Sequence, residues 1–365
     1  MRNPFDTAFG RVPAIILDRT DLVERIAEDL HYYNSPYRTT LISGLRGSGK
    51  TVLLTDICEQ LRQQDNCIVV DLRPHLETDE MITQLLEKVI LESPQWIKPE
   101  LLRFKETHLK LPFVETTIES RPLSEESQLL QLLQHLKKHK TLLVVAIDEV
   151  DNTPAIRNLA SMHQEFLRRR LDMALLFTGL PEKVNALQNE NMLTFLLRAE
   201  RITPESLSPY SIRQAYQENF QAGGYLLEDG LVEKMTNLTK GYAYAFKVLG
   251  SLLWEAEKEN LRITEESLNK VESAFMSLLF QNVHAKVFSE ISPTDQAFLY
   301  AMISEESSTS VQDIARHMER DKNYISVYRG RLLKAGIIQV AGHGRLSYTL
   351  PYMKEFLEEQ AKWEM

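Results

Sequence analysis

The sequence predicts an α/β core, a parallel sheet flanked by helices, followed by an all-α lid-like block and a C-terminal winged-helix unit. Three observations carry that prediction. Short apolar runs alternate with helical periodicity through the N-terminal half, which is the rhythm of a parallel sheet. A glycine-rich octapeptide, Gly44-Leu45-Arg46-Gly47-Ser48-Gly49-Lys50-Thr51, sits where the first apolar run gives way to a helical one. From about Thr203 the strand signals fade, and helical patterns alone continue to near Ser292-Pro293. The expected divisions are residues 1–202, 203–283 and 284–365.

The first strand is Thr39-Thr40-Leu41-Ile42-Ser43, short, β-branched and apolar, as a strand buried on both faces should be. After the glycine-rich turn, Val52, Leu53, Ile57 and Leu61 recur at helical spacing. Further strands are read at Cys67–Leu72, Leu142–Ile147 and Met173–Thr178, each behind a helical pattern such as Met81–Leu91 or Gln128–Leu136. Residues 94–124 are broken by Pro94, Pro99, Pro112 and Pro122; within this insertion Phe113–Ile118 reads as a small hairpin. Helices are expected over Ser211–Phe220, Leu226–Thr236, Tyr242–Glu257 and Glu265–Phe280, interrupted by Gly223-Gly224 and Gly241. In the last block Phe298, Leu299, Met302, Ile314, Ala315, Met318, Ile325, Leu332, Leu333 and Ile337 fit three short helices. Strand-like Ile337–Val340, a turn at Gly342-His343-Gly344 and Arg345–Leu350 complete a winged-helix order.

A chain of 365 residues with 43% apolar and 25% charged residues has the composition of a globular protein of two or three domains. The apolar run Leu142–Ile147 is far too short to cross a bilayer, and the first residues hold no apolar signal segment. A cytoplasmic protein without a membrane partner is therefore expected. Cys58 and Cys67 have no metal-ligand spacing and read as buried small hydrophobes in a reducing compartment. A net charge of −9 argues against a uniformly basic surface but leaves room for one basic domain.

The octapeptide has the Gly-x-x-x-x-Gly-Lys-Thr form of a Walker A loop, whose chemistry is phosphate binding. Gly44, Gly47 and Gly49 let the backbone bend and aim N–H groups at phosphate oxygens. Lys50 supplies charge to the β- and γ-phosphates, the Thr51 hydroxyl can ligate Mg²⁺, and the helix starting there adds its positive dipole end. Leu45, Arg46, Ser48 and Val52 complete the cradle. Leu142–Ile147 followed by Asp148-Glu149 reads as a Walker B strand, since ligands of parallel sheets sit at the strands' C-terminal edge. Asp148 then holds the metal and Glu149 polarises the attacking water. Acidic pairs also suit helix starts, and the upstream glycine loop decides for the metal.

Two readings of Thr178 stand open: a contact to the γ-phosphate or the lytic water, and a plain strand-ending cap. Arg168, Arg169 and Arg170, with Arg198 and Arg201 as rivals, are candidates to act in trans on a neighbour's nucleotide, or simply to offset a helix dipole. In residues 311–350 seven Lys or Arg stand against three Asp or Glu, an excess of four positive charges inside an acidic chain. The expected recognition helix there offers Lys322, Asn323, Tyr324, Arg329 and Arg331 to duplex DNA, with Arg345 on the wing. Winged helices also dock proteins, and that alternative stays open.

Taken together, these motifs resemble the AAA+ ATPases of the origin-recognition initiator clade and the related bacterial ATPases grouped with STAND signalling proteins. Asn3-Pro4-Phe5, Val12-Pro13 and Asp18-Arg19-Thr20-Asp21-Leu22 are similar to the segment that cradles adenine there, which implies contacts from Val12, Asp18 and Arg19. Asp151 completes an Asp-Glu-x-Asp string, Phe177–Pro181 resembles sensor 1, and Leu207-Ser208-Pro209-Tyr210 resembles the lid entrance. Thr239–Lys247 looks like the sensor 2 helix, but Tyr244 stands where initiators carry arginine, with Lys247 one turn on. The resemblance implies a slow ATPase using ATP and Mg²⁺, a nucleotide-dependent switch coupled to double-stranded DNA through the winged helix. The alternative it implies is a STAND-like signalling or defence ATPase with little hydrolysis, whose winged helix docks protein partners. A homo-oligomer fits either.

Overall fold

The computed structural model describes residues 2–5, 19–102, 124–304 and 307–364. Val12, Asp18 and the hairpin expected at 113–118 lie outside the described residues. The chain forms two compact units. One holds residues 19–43 and 50–203, the other residues 1–18, 44–49 and 204–365.

The first unit is built on five parallel strands: β1 (Thr39–Ser43), β2 (Cys67–Leu72), β3 (Leu142–Ile147), β4 (Met173–Gly179) and β5 (Glu200–Ile202), in the order β2-β3-β4-β1-β5. Alternate side chains of a strand face opposite sides, so each run feeds two cores. Leu41, Val145 and Phe177 join one cluster; Ile42, Val144 and Leu176 join the other. Each fully buried Leu, Ile or Phe contributes about 1.5–3 kcal/mol, so these central strands anchor the unit. Register sets β1 beside β4 with Ser43 opposite Gly179, and β3 beside β4 with Ile147 opposite Phe177. The C-terminal ends of β1, β3 and β4 therefore lie on one edge.

Around this sheet lie α1 (Thr20–Asp29), α2 (Lys50–Arg62), α3 (Thr78–Glu92), α4 (Glu125–Lys138), α5 (Pro154–Arg168) and α6 (Pro181–Gln188). Helix α5 is capped by the Thr153 hydroxyl, which accepts from Ile156 N–H, and begins on Pro154, whose fixed φ suits the first turn. Between α6 and β5 the chain forms a 3-10 segment, Asn191–Arg198. Cys58 and Cys67 are buried and unbridged, and burial pushes both thiols up to about 12.

The second unit contains α7 (Pro209–Ala222), α8 (Leu231–Thr239), α9 (Ala243–Ala256) and α10 (Glu265–Leu279). Its core is aromatic: Phe5, wholly buried, lies against the rings of Tyr216, Phe220, Phe246 and Trp254 at centroid distances of 5.7, 5.0, 5.6 and 6.3 Å. The helix expected from Leu226 starts instead at Leu231. Leu226–Leu227 (β6) pairs in parallel with Arg262–Ile263 (β7), and Gly230 turns the chain at φ 77°. Helix α10 does not stop at 280. It passes through a π turn at Phe280–His284 into α11 (Ala285–Ser289), because Phe280, Val283 and Val287 continue its buried stripe.

The C-terminal block has α12 (Pro293–Ala301), α13 (Val311–His317) and α14 (Lys322–Lys334), then a final helix, α15 (Met353–Glu364). The expected hairpin is β9 (Ile338–Val340) with β10 (Arg345–Tyr348). A third strand not read from the sequence, β8 (Thr309–Ser310), pairs on β10's other side. Among the described residues no helix is long and apolar enough to cross a membrane.

Candidate functional site

In the sheet unit a hydrogen-bonded group gathers at the strands' C-terminal edge. Thr51 Oγ donates to Asp148 Oδ2 at 2.8 Å, and the buried Thr178 hydroxyl donates to Asp148 Oδ1. Glu149 N–H donates to both Asp148 Oδ1 and Thr178 Oγ at 3.1 Å each. These bonds hold Glu149 in the left-handed region at φ 56°, with its side chain exposed. A non-glycine residue adopts that conformation only at a cost of about 1–3 kcal/mol, which the surrounding bonds offset. The Thr178 hydroxyl thus ties the Asp148 carboxylate to the Glu149 backbone.

The donor set suits Mg²⁺. A hard cation bound octahedrally at about 2.0–2.1 Å has neighbouring oxygens about 2.9 Å apart. The Thr51 and Asp148 oxygens stand at 2.8 Å. Three residues along the chain from Asp148, Asp151 is bound by Lys183. Burial pushes its carboxyl up, but the Lys183 bond and Asn152 N–H bring it below the usual range. Lys50 and Val52 are half-buried at the start of α2. Arg19, buried just ahead of α1, acts on Asp56, whose carboxyl is pushed up by burial against that favourable charge. Arg168, Arg169 and Arg170 are exposed; Arg169 pairs with Glu165, and Arg170 lies 5.8 Å over the Tyr33 ring. Arg198 and Arg201 are exposed as well.

In the other unit the glycine loop is held from outside by residues that sequence reading did not connect to it. The Tyr242 hydroxyl donates to the Arg46 carbonyl at 2.6 Å, and Tyr244 N–H donates to the Gly47 carbonyl at 3.2 Å. Burial pushes the Tyr242 phenol far above its usual range, so it remains a protonated donor. Gly47, at φ 70°, is crowded too: a Cβ there would strike the Tyr242 hydroxyl and lie 2.8 Å from Tyr244 Cβ. Gly44 is buried, and its Cβ would meet Ser48 Oγ at 2.8 Å. Gly49 takes φ 88°. Leu45 packs on this unit's hydrophobic core, and Arg46 pairs with Glu290 at 2.5 Å. Tyr244, in the place of the expected arginine, also accepts from Asn282 Nδ2 at 2.9 Å. Lys247 is half-buried on the same helix.

In the C-terminal block Lys322 and Asn323 are exposed and Arg329 is half-buried. Tyr324 and Tyr328 pack with centroids 4.7 Å apart. Of the six candidates for nucleic-acid contact, Arg331 and Arg345 are, like Tyr324, engaged within the chain. Arg331 binds Asp295, with Nε 3.0 Å from Oδ1, and stands over the Tyr328 ring at 5.0 Å. Arg345 Nε donates to Ser308 Oγ at 2.8 Å. No spacing rule in the sequence connects these partners.

Residues 34–187 match the family model of the AAA domain, and residues 281–357 match a family described only as a domain of unknown function. The Walker-type ATPase of Pyrococcus abyssi superimposes with a TM-score of 0.67 at 17% identity, covering 97% of this chain and 99% of that one. The Aeropyrum pernix ORC2 protein, solved as ADPNP–ADP complexes, gives 0.65 at 12% identity, covering 100% and 99%. At these identities the likeness is one of fold. No curated protein matches the chain.

Proposed function

We propose that this chain, an ATPase whose residues 34–187 form an AAA domain, works as a nucleotide-dependent switch that turns over ATP slowly. The observation that carries the reading is the Thr51–Asp148–Thr178–Glu149 network at the sheet edge, reached directly from the Walker A loop along the chain. Lys50 and the loop N–H groups bind the β- and γ-phosphates. Thr51 and Asp148 hold Mg²⁺, which neutralises phosphate charge when bound. Glu149, held with its carboxylate exposed, orients water for in-line attack. Val12, Asp18 and Arg19 are proposed for the adenine end.

The divisions at 202 and 283 serve this reading as core and lid, with residues 284–365 as a winged helix. Helix, strand, two helices and two strands from α12 to β10 follow that order. Duplex DNA is the proposed partner, met by Lys322, Asn323, Tyr324 and Arg329, in a cytoplasmic setting. A second reading, docking of a protein partner or another copy of the chain, is favoured by one observation. Val327 and Val340 are 66% and 58% exposed while Arg331 and Arg345 are engaged internally.

Turnover and nucleotide retention test the enzyme reading together. Lys50→Ala is expected to lose ATP binding, whereas Glu149→Gln keeps binding and slows turnover by orders of magnitude. Equal turnover in Glu149→Gln and the parent removes Glu149 from the mechanism. For the partner, duplex affinity should fall steeply with salt and with Lys322→Glu or Arg329→Glu. Binding untouched by either charge reversal transfers the block to protein docking.

A further inference from the structure

We propose that Glu100, His135 and His139 form a binding site for a divalent transition-metal ion of the zinc class, separate from the Mg²⁺ pair at the sheet edge. Among the described residues this is the group of three His, Cys, Asp or Glu side chains whose ligand atoms all lie within 4.8 Å of one another. Glu100 Oε2 stands 3.1 Å from His139 Nε2 and 3.5 Å from His135 Nε2. Zinc bonds of about 2.0–2.2 Å in a tetrahedron place neighbouring ligand atoms roughly 3.3–3.6 Å apart. The 3.5 Å separation falls inside that range and the 3.1 Å one about 0.2 Å below it, which a tolerance of about 0.2 Å in the metal bonds covers.

The fold builds the group. His135 lies in the last turn of α4, and His139 follows one turn later as its C-cap, so the two rings share a face at 5.0 Å. A helix C-terminus carries partial negative charge and favours a cation. Glu100 is fixed by its neighbours: Ile97 and Leu101 are wholly buried in the cluster that also holds Leu132, Leu133 and Leu136 of α4. Trp96 flanks His139 at 6.0 Å between ring centroids. The histidine side chains are 23% and 30% exposed, which screens them partly from water yet leaves a route for an ion. Two imidazoles and one carboxylate leave a fourth position for water, and this nitrogen-rich set prefers zinc to magnesium or calcium. The ion would clip the segment carrying Glu100 to the end of α4.

The competing account is a hydrogen-bonded cluster in which both imidazoles donate Nε2–H to one carboxylate oxygen. Equilibrium dialysis of the nucleotide-free full chain against Zn²⁺, with excess Mg²⁺ to occupy oxygen-donor sites, separates the two. One tightly held zinc per chain is expected. It should fall to background in Glu100→Gln and His139→Asn and persist in the wing variant His343→Asn. His139 is a partly exposed cap, so its variant reports even where a His135 variant fails to fold. With Co²⁺ as probe, the parent and not the variants should give the intense visible bands of a tetrahedral site. Zinc retained by both ligand variants, or none held by the parent, overturns the proposal.

Discussion

Replacing Thr178 by valine keeps the shape of a wholly buried side chain and removes only its hydroxyl. Two hydrogen bonds go with it: the one donated to Asp148 and the one accepted from Glu149 N–H. A bond to a charged group contributes about 1.5–3 kcal/mol and a neutral one about 1 kcal/mol. Glu149 N–H retains Asp148 Oδ1 at 3.1 Å, so only part of the second is lost. If about 2 kcal/mol of that positioning is expressed in the transition state, kcat should fall roughly 30-fold. KM should move little, since the loop and Lys50 are untouched. Steady-state ATP hydrolysis with Mg²⁺ measures both, and Thr178→Ser, which restores the hydroxyl, should recover most of the rate. A valine variant within twofold of the parent, or a serine variant equally slow, refutes the positioning role and leaves Thr178 a strand cap.

Three further outcomes follow from buried contacts. His163 is wholly buried beside Thr39, 3.0 Å from its hydroxyl, and burial holds its pKa down at about 3 against an ordinary 6.5. Above pH 6.5 both folded and unfolded chains carry it neutral. As pH falls from there toward 3 only the unfolded chain takes the proton, so stability drops by about 1.4 kcal/mol per unit; denaturant midpoints of His163→Gln should lack this share of the slope. Arg331→Ala removes the paired cation from the Asp295 carboxylate, whose side chain is 4% exposed and which then keeps the Ser292 hydroxyl. With Arg331 itself half-exposed, a discounted loss of about 2 kcal/mol is expected, partly restored by adding Asp295→Asn in a double-mutant cycle. Gly250→Ala places a Cβ 2.5 Å from Phe5 Cδ1, inside an aromatic cluster with no free end to yield. Overpacking of about 1–3 kcal/mol should outweigh the helix-propensity gain of about 1 kcal/mol, and a rise in thermal midpoint would contradict it.

The central strands were legible because burial on both faces favours apolar runs: β3 is apolar throughout, β2 over residues 67–70 and β4 over residues 173–177, while β1 was read from its β-branched Thr39, Thr40 and Ile42 ahead of the glycine loop. Strand β5 was not, since Glu200, Arg201 and Ile202 at a sheet edge offer a single buried apolar residue. β8, two residues long, is hidden because Thr309 and Ser310 carry no apolar signal. Leu226 and Leu227 imitate a helix start, and the break becomes visible only in the positive φ of Gly230. At the site, Thr51 and Asp148 could be paired from residue type alone, because phosphate and metal chemistry demand those types at a strand end. The grip of Tyr242 on the Arg46 carbonyl spans 196 residues and answers to no periodicity. His135 and His139 stand four residues apart at the end of α4, but nothing in the sequence connects them to Glu100, which sits in a proline-broken stretch that gave no helical register.

Gly47 meets two demands at once, and their combination bears on switching. A phosphate loop needs its positive φ, and the close approach of Tyr242 and Tyr244 needs its missing side chain. The loop thus offers N–H groups to a ligand while two of its carbonyls are occupied by the helical unit. Those two hydrogen bonds contribute about 0.5–1.5 kcal/mol each. The Arg46–Glu290 pair, 29% and 49% exposed, adds at most about 1 kcal/mol. A sum of about 1–4 kcal/mol is comparable to the roughly 2.7 kcal/mol that a ligand at a hundred times its Kd supplies. A ligand shifts an equilibrium only by its differential affinity for the two states. Contacts of this size can therefore be made or broken by nucleotide occupancy, whereas the aromatic core around Phe5 cannot, so a switch in this chain should act at the loop carbonyls and leave the helical unit intact.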